Sequence, residues 1–164
     1  MEDNQKIKID TDELIDAFAL QTGTECAILK EWLSSSFSLS ETVSNGLEKL
    51  RIRIQKEDSA WNEEELKMRF LAFLFEYADL EVPKKIKLFY ERPLSAVING
   101  YTVNVKCDCL LATPKGIGTP RNPYFFLQEF KKRKKNDDDA EGQMLAAMLV
   151  AQQINANQQP IYGA

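Results

Sequence analysis

The chain has 164 residues, of which 44% are hydrophobic and 28% charged, and its formal net charge is −4. Those values fit one soluble globular domain with material for a real core, and they argue against polyanion binding driven by bulk charge, though not against a local basic patch. With no histidine anywhere, Ser-His and Cys-His catalysis and histidine metal sites are excluded, so any metal is held by oxygens and is a hard cation such as Mg²⁺ or Mn²⁺.

The start, Met1-Glu2-Asp3-Asn4, is polar and acidic and has no signal-peptide character. No apolar run approaches membrane-spanning length. Cys26, Cys107 and Cys109 form an odd set without a zinc spacing, which fits reduced thiols in a cytoplasmic protein. Ile7 and Ile9 alternate weakly and suit an edge-pairing start.

From Asp10 to about Gln21 the apolar positions Leu14, Ile15, Phe18 and Ala19 recur at helical spacing behind a capping residue. A second short helix follows Thr24, with Ile28, Leu29, Trp32 and Leu33 as its apolar side. Ser38-Leu39-Ser40-Glu41 fits a capping box and opens a third helix ending near Lys56, with Asn45-Gly46 weakening its middle. The strongest helical signal follows, with Asn62 or Ser59 as its cap. Glu63, Glu64 and Glu65 sit in its first turn, and Leu66, Phe70, Phe73, Leu74 and Tyr77 form a stripe that Pro83 closes. Glu63 projects onto that stripe, so it faces inward while Glu64 and Glu65 fall beside it. Trp32 and Trp61 read as packing residues.

From Lys85 the period becomes two. Ile86, Leu88 and Tyr90 alternate with Lys87, Phe89 and Glu91, a strand pattern, and Asn99-Gly100 between apolar flanks predicts a hairpin. Its second arm runs through Asp108 to about Ala112. Three prolines and two glycines between Thr113 and Pro123 predict a loop. A third strand is expected from Tyr124 to about Lys132, then the basic run Lys131 to Lys135, then a helix from about Asp138 to Ala156. Pro160-Ile161-Tyr162 begins another strand as the chain stops, so either the C-terminal end of the core lies beyond the sequence or this strand is short. The plan is α/β (α+β): a central mixed sheet flanked by helices in residues 59–164, with residues 1–58 as an N-terminal helical extension packed on it.

One strand breaks the pattern of burial. Tyr124-Phe125-Phe126-Leu127 is apolar, yet it leads into Gln128-Glu129-Phe130-Lys131. On a strand Glu129 and Lys131 share one face, and two charges there cost desolvation unless a site needs both. Asp108 lies inside the preceding strand. The three are expected to converge.

A helix with an inward acid, a hairpin bearing Asp108, a strand ending Glu129-Phe130-Lys131 and a following helix together resemble the PD-(D/E)XK nuclease superfamily, the restriction-endonuclease-like fold. The likeness spans roughly residues 62–164. Cys107 stands where that pattern has proline. The resemblance implies metal-assisted hydrolysis of phosphodiester bonds in DNA or RNA. Asp108 and Glu129, with the carbonyl of Phe130 and also Glu63, would hold Mg²⁺ or Mn²⁺, and Lys131 would orient or deprotonate the attacking water or neutralise the phosphate. It also makes Gln143, on the following helix, a substrate or water contact. Two alternatives stand beside this. One is a nuclease-fold module that binds nucleic acid or protein without turnover. The other is a helical regulatory domain that its strands merely cap.

Overall fold

The computed structural model describes residues 5–130, 139–157 and 159–164. The chain forms two compact units, residues 1–20 with 80–164, and residues 21–79. These divisions fall at 20/21 and 79/80, where the sequence suggested a cut after residue 58. The first short helix belongs with the strands, and the strong acidic-capped helix belongs with its helical predecessors.

The helical unit contains α2 (Ala27–Ser34), α3 (Glu41–Glu57), a 3₁₀ turn (Asp58–Ala60), α4 (Glu63–Leu66), a π segment (Lys67–Leu71) and α5 (Ala72–Ala78). Ser40 caps α3 by accepting from the Val43 amide, two residues beyond the start of the expected box. Asn62 and Glu65 form the reciprocal capping box at α4. α3 runs unbroken through Asn45-Gly46, because Gly46 is buried at a close approach. A Cβ there would lie 2.6 Å from Tyr77 Oη.

The π segment corrects the expected stripe. Its wider turn advances the helical phase by about one residue. Phe75 is therefore buried, and Phe73, expected inward, is 46% exposed. Trp61 is buried as expected, whereas Trp32 is 51% exposed and α2 contributes no buried residue.

The other unit is built on a five-stranded mixed sheet. β2 (Lys87–Ile98) and β3 (Tyr101–Lys115) form a long antiparallel hairpin. Asn99 and Gly100 make its turn, both at positive φ, 48° and 82°. β4 (Thr119–Gln128) pairs antiparallel with β3, β1 (Gln5–Lys6) pairs parallel with the start of β3, and β5 (Tyr162–Gly163) pairs parallel with β4.

The loop expected over Thr113–Pro123 is instead the tip of the β3–β4 hairpin. Pro114 and Pro120 face each other near its end, and only Gly116–Gly118 turn. Ala112 pairs with Tyr124 but Thr113 pairs with Arg121, so Asn122 and Pro123 are the extra residues of a bulge. β4 also stops at Gln128, short of the expected Lys132.

α1 (Thr11–Phe18) and α6 (Ala140–Asn155) complete this unit, with α6 packed on β2, β3 and β4. Leu14, Phe89, Val103, Leu110, Leu127 and Val150 are at the centre of its core. Three strands 10 to 15 residues long thus carry a core of their own, which is more than a cap on helices. No helix among the described residues is long and apolar enough to cross a membrane.

Candidate active site at the fork of the sheet

Alternation fails midway along the central hairpin. On β2, Phe89 and Leu94 both join the core although an even number of residues lies between them; on β3 the same holds for Cys107 and Leu110. The reversal coincides with Glu91, whose φ of 54° is left-handed for a residue with a side chain. Tyr90 pairs with Cys109 and Arg92 with Cys107, so Glu91 stands across the ladder from Asp108. Just before the kink Leu88 and Phe89 are both buried, and Tyr90 is 49% exposed. Local kinks of this kind re-aim side chains and gather at functional sites. In the sequence Pro93, two residues on, is the one breaker residue near it.

β1 and β4 share one edge of β3. β1 covers Tyr101 and Thr102, and β4 covers Cys109 through Lys115. Between them lies a stretch of β3 edge, ending at Asp108, with no strand beside it among the described residues.

Asp108 sits where that edge meets the end of β4. The β3–β4 ladder ends at the pair Cys109–Gln128; its register, carried on, would set Asp108 against Glu129 and Cys107 against Phe130. The backbone does not continue the ladder. The Phe130 amide donates to Asp108 Oδ2 at 2.9 Å. The Glu129 amide turns the other way and donates to the Ala164 carbonyl at 3.1 Å. One carboxylate therefore takes the place of a strand partner and anchors the segment that carries the second acid. Both acids are half-buried.

Cys107 and Cys109 flank Asp108 and are buried. The Cys107 thiol donates to the Cys109 carbonyl at 2.9 Å. Burial pushes its pKa up to about 11 and that of Cys109 up to about 12. Burial thus favours the protonated thiols on either side of Asp108.

Glu63 is the first residue of α4 in the helical unit, and its carboxylate pairs with Lys67 Nζ at 3.0 Å. Gln143 stands half-buried in the first turn of α6. Lys131 and the basic run to Lys135 lie outside the described residues. Among the described residues, no three acidic or cysteine side chains form a group able to hold an ion. The structure thus brings Asp108 and the Glu129-Phe130 backbone together.

Sequence reasoning missed the adjoining groove. It has a volume of about 390 Å³ and is lined by Glu129, Glu141, Met144, Leu145 and Met148, among others. By spacing alone, Met144 and Met148 suit packing on the sheet. Their signal was the spacing of two flexible thioethers on the helix that follows Glu129-Phe130. Comparison with protein-family models, curated proteins and solved structures found no match for the chain.

Proposed function

We propose that the sheet unit is a Mg²⁺-dependent nuclease of the PD-(D/E)XK, restriction-endonuclease-like kind, hydrolysing phosphodiester bonds in DNA or RNA. The observation that carries this reading is the Asp108–Phe130 hydrogen bond at the sheet fork. It holds one acid against the segment bearing Glu129 and ahead of Lys131. Asp108 on β3 and Glu129 just past the end of β4, with the backbone carbonyl of Phe130, would offer the hard oxygen donors that Mg²⁺ or Mn²⁺ requires.

Asp108 and Glu129 would hold the ion, which supplies positive charge to the phosphate and lowers the pKa of an attacking water. Lys131 orients or deprotonates that water, or balances charge on the phosphate. The Phe130 amide fixes the rotamer of Asp108. Glu63 is already engaged by Lys67, and the proposal does not require it.

A second reading keeps the fold without turnover, as a module that binds nucleic acid or protein. The absence of a third acidic ligand among the described residues favours it. Incubation with plasmid and single-stranded substrates in Mg²⁺ or Mn²⁺ separates the two. Cleavage lost in both Asp108→Ala and Lys131→Ala supports the nuclease. Cleavage that survives both substitutions marks a contaminant, and metal binding without cleavage supports the module.

A further inference from the structure

Glu129 belongs to two features at once. It carries an acid of the proposed metal site, and it forms part of the wall of the groove between the start of α6 and β5. The floor of that groove is Met144, Leu145 and Met148, and Glu141 stands beside it. Its 390 Å³ lies within the range of about 300–1,000 Å³ common for small-ligand clefts, which are mostly apolar with a few placed polar groups. β5 packs tightly on the two methionines, and Ala164 just after it lines the groove. A Cβ at Gly163 would lie 2.6 Å from Met144 Sδ and 2.7 Å from Met148 Sδ, so both thioethers rest against bare backbone.

This composition selects among ligands. Carboxylates at the wall repel a free phosphate, so the groove does not hold the backbone of a nucleic acid. Its floor suits a flat, polarisable, apolar surface, and thioether sulfur makes favourable contacts with aromatic rings. Glu141 is an acceptor for exocyclic amino groups. A nucleobase has both properties. A base within a duplex does not present them, because its faces are stacked and its edge is paired, and enzymes that need such a base must first extrude it.

We propose that the groove receives the base of an unpaired nucleotide next to the scissile phosphate, making the substrate single-stranded nucleic acid. The inference rests on the nuclease reading for the position of the phosphate. The groove itself is a separate feature and is tested separately.

The test uses the full chain and single-stranded or duplex oligonucleotides carrying 2-aminopurine, in Ca²⁺ so that binding is read without depending on turnover. Single strands should bind with a fluorescence change, and Met144→Ala and Met148→Ala should each weaken that binding about three- to tenfold while duplex binding stays the same. Wild-type protein cross-linked to a strand bearing 5-iodouracil should carry the adduct on Met144, Leu145 or Met148, a readout that needs no folded variant. Equal binding of single strand and duplex, unaltered binding by both methionine variants, or an adduct elsewhere would overturn the inference. Cleavage of duplex and single strand at equal rates, insensitive to the methionines, defeats the groove assignment and leaves the nuclease standing. Single-strand binding at the groove without cleavage in Mg²⁺ does the reverse. Binding of neither strand overturns the groove assignment outright.

Discussion

Asp139 ties the N-terminus of α1 to that of α6: its carboxylate accepts from the Thr11 amide at 2.6 Å and from the Gly142 amide at 2.7 Å. The Thr11 hydroxyl donates to it as well, at 2.9 Å. One side chain therefore caps α6 and holds a helix more than a hundred residues away in sequence.

The Gly142 amide first, and then the Thr11 donors, hold the Asp139 pKa below its ordinary value of 3.8. A depressed carboxyl stabilises the fold above its unfolded pKa, and the contribution is lost as pH falls through the folded value. Asp139→Ala should lower stability at pH 7 by about 1–2 kcal/mol, the usual range for loss of a cap. Against Asp139→Asn, the wild-type advantage should shrink below about pH 4. Denaturant melts across pH 2–7 check this; a gap that stays constant would contradict it.

Asn155 repairs the backbone where the β4 bulge interrupts pairing. It accepts from the Tyr124 amide and donates to the Tyr124 carbonyl, both at 2.8 Å. Asn155→Ala strands both groups at a buried residue and should cost about 2–3 kcal/mol. Asn155→Asp keeps the acceptor and loses the donor, so it should fall between, as thermal unfolding will show.

Gly46 gives the opposite sign to the usual rule. Glycine to alanine inside a helix ordinarily gains about 1 kcal/mol. Here the added methyl meets the Tyr77 ring, with Oη 2.6 Å away, and such overpacking costs about 1–3 kcal/mol. Gly46→Ala should therefore destabilise, and combining it with Tyr77→Leu should recover much of the loss. Strict additivity of the two changes would count against the contact.

The phase shift at the π segment separates two neighbouring aromatics. Phe75→Ala should cost about 3–4 kcal/mol, the loss expected for a buried ring. Phe73→Ala should cost no more than about 1 kcal/mol, since that ring is exposed and has the Arg53 guanidinium 5.8 Å from its centre. Equal penalties would mean the helix keeps ordinary α phase.

These cases show what the sequence made legible. The sequence narrows the caps to a few short polar residues, Asp10 to Asp12, Ser59 or Asn62 and the serines before α3, because such side chains accept from free helical amides; the structure selects Asp10, Asn62 and Ser40. The Asn99-Gly100 turn was readable because positive φ selects those residues. Phe73 misled because one wide turn rotates everything after it, and no residue in Lys67–Leu71 signals that turn. The prolines near 120 misled because paired prolines on a hairpin arm need few amides from the ladder. Asp108 was legible as an acid out of place between two buried cysteines. Its partner was not, since the Phe130 amide has no side-chain signature. The groove depends on which sides of α6 and β5 meet, which spacing within either element does not reveal.

The most direct measurement is a crystal soaked in Mn²⁺ and read at a wavelength where manganese scatters anomalously. The proposal predicts a peak held by the carboxylates of Asp108 and Glu129 with the Phe130 carbonyl beside it, and loss of that peak in Asp108→Asn. A saturated soak with no ion between those two acids would contradict it.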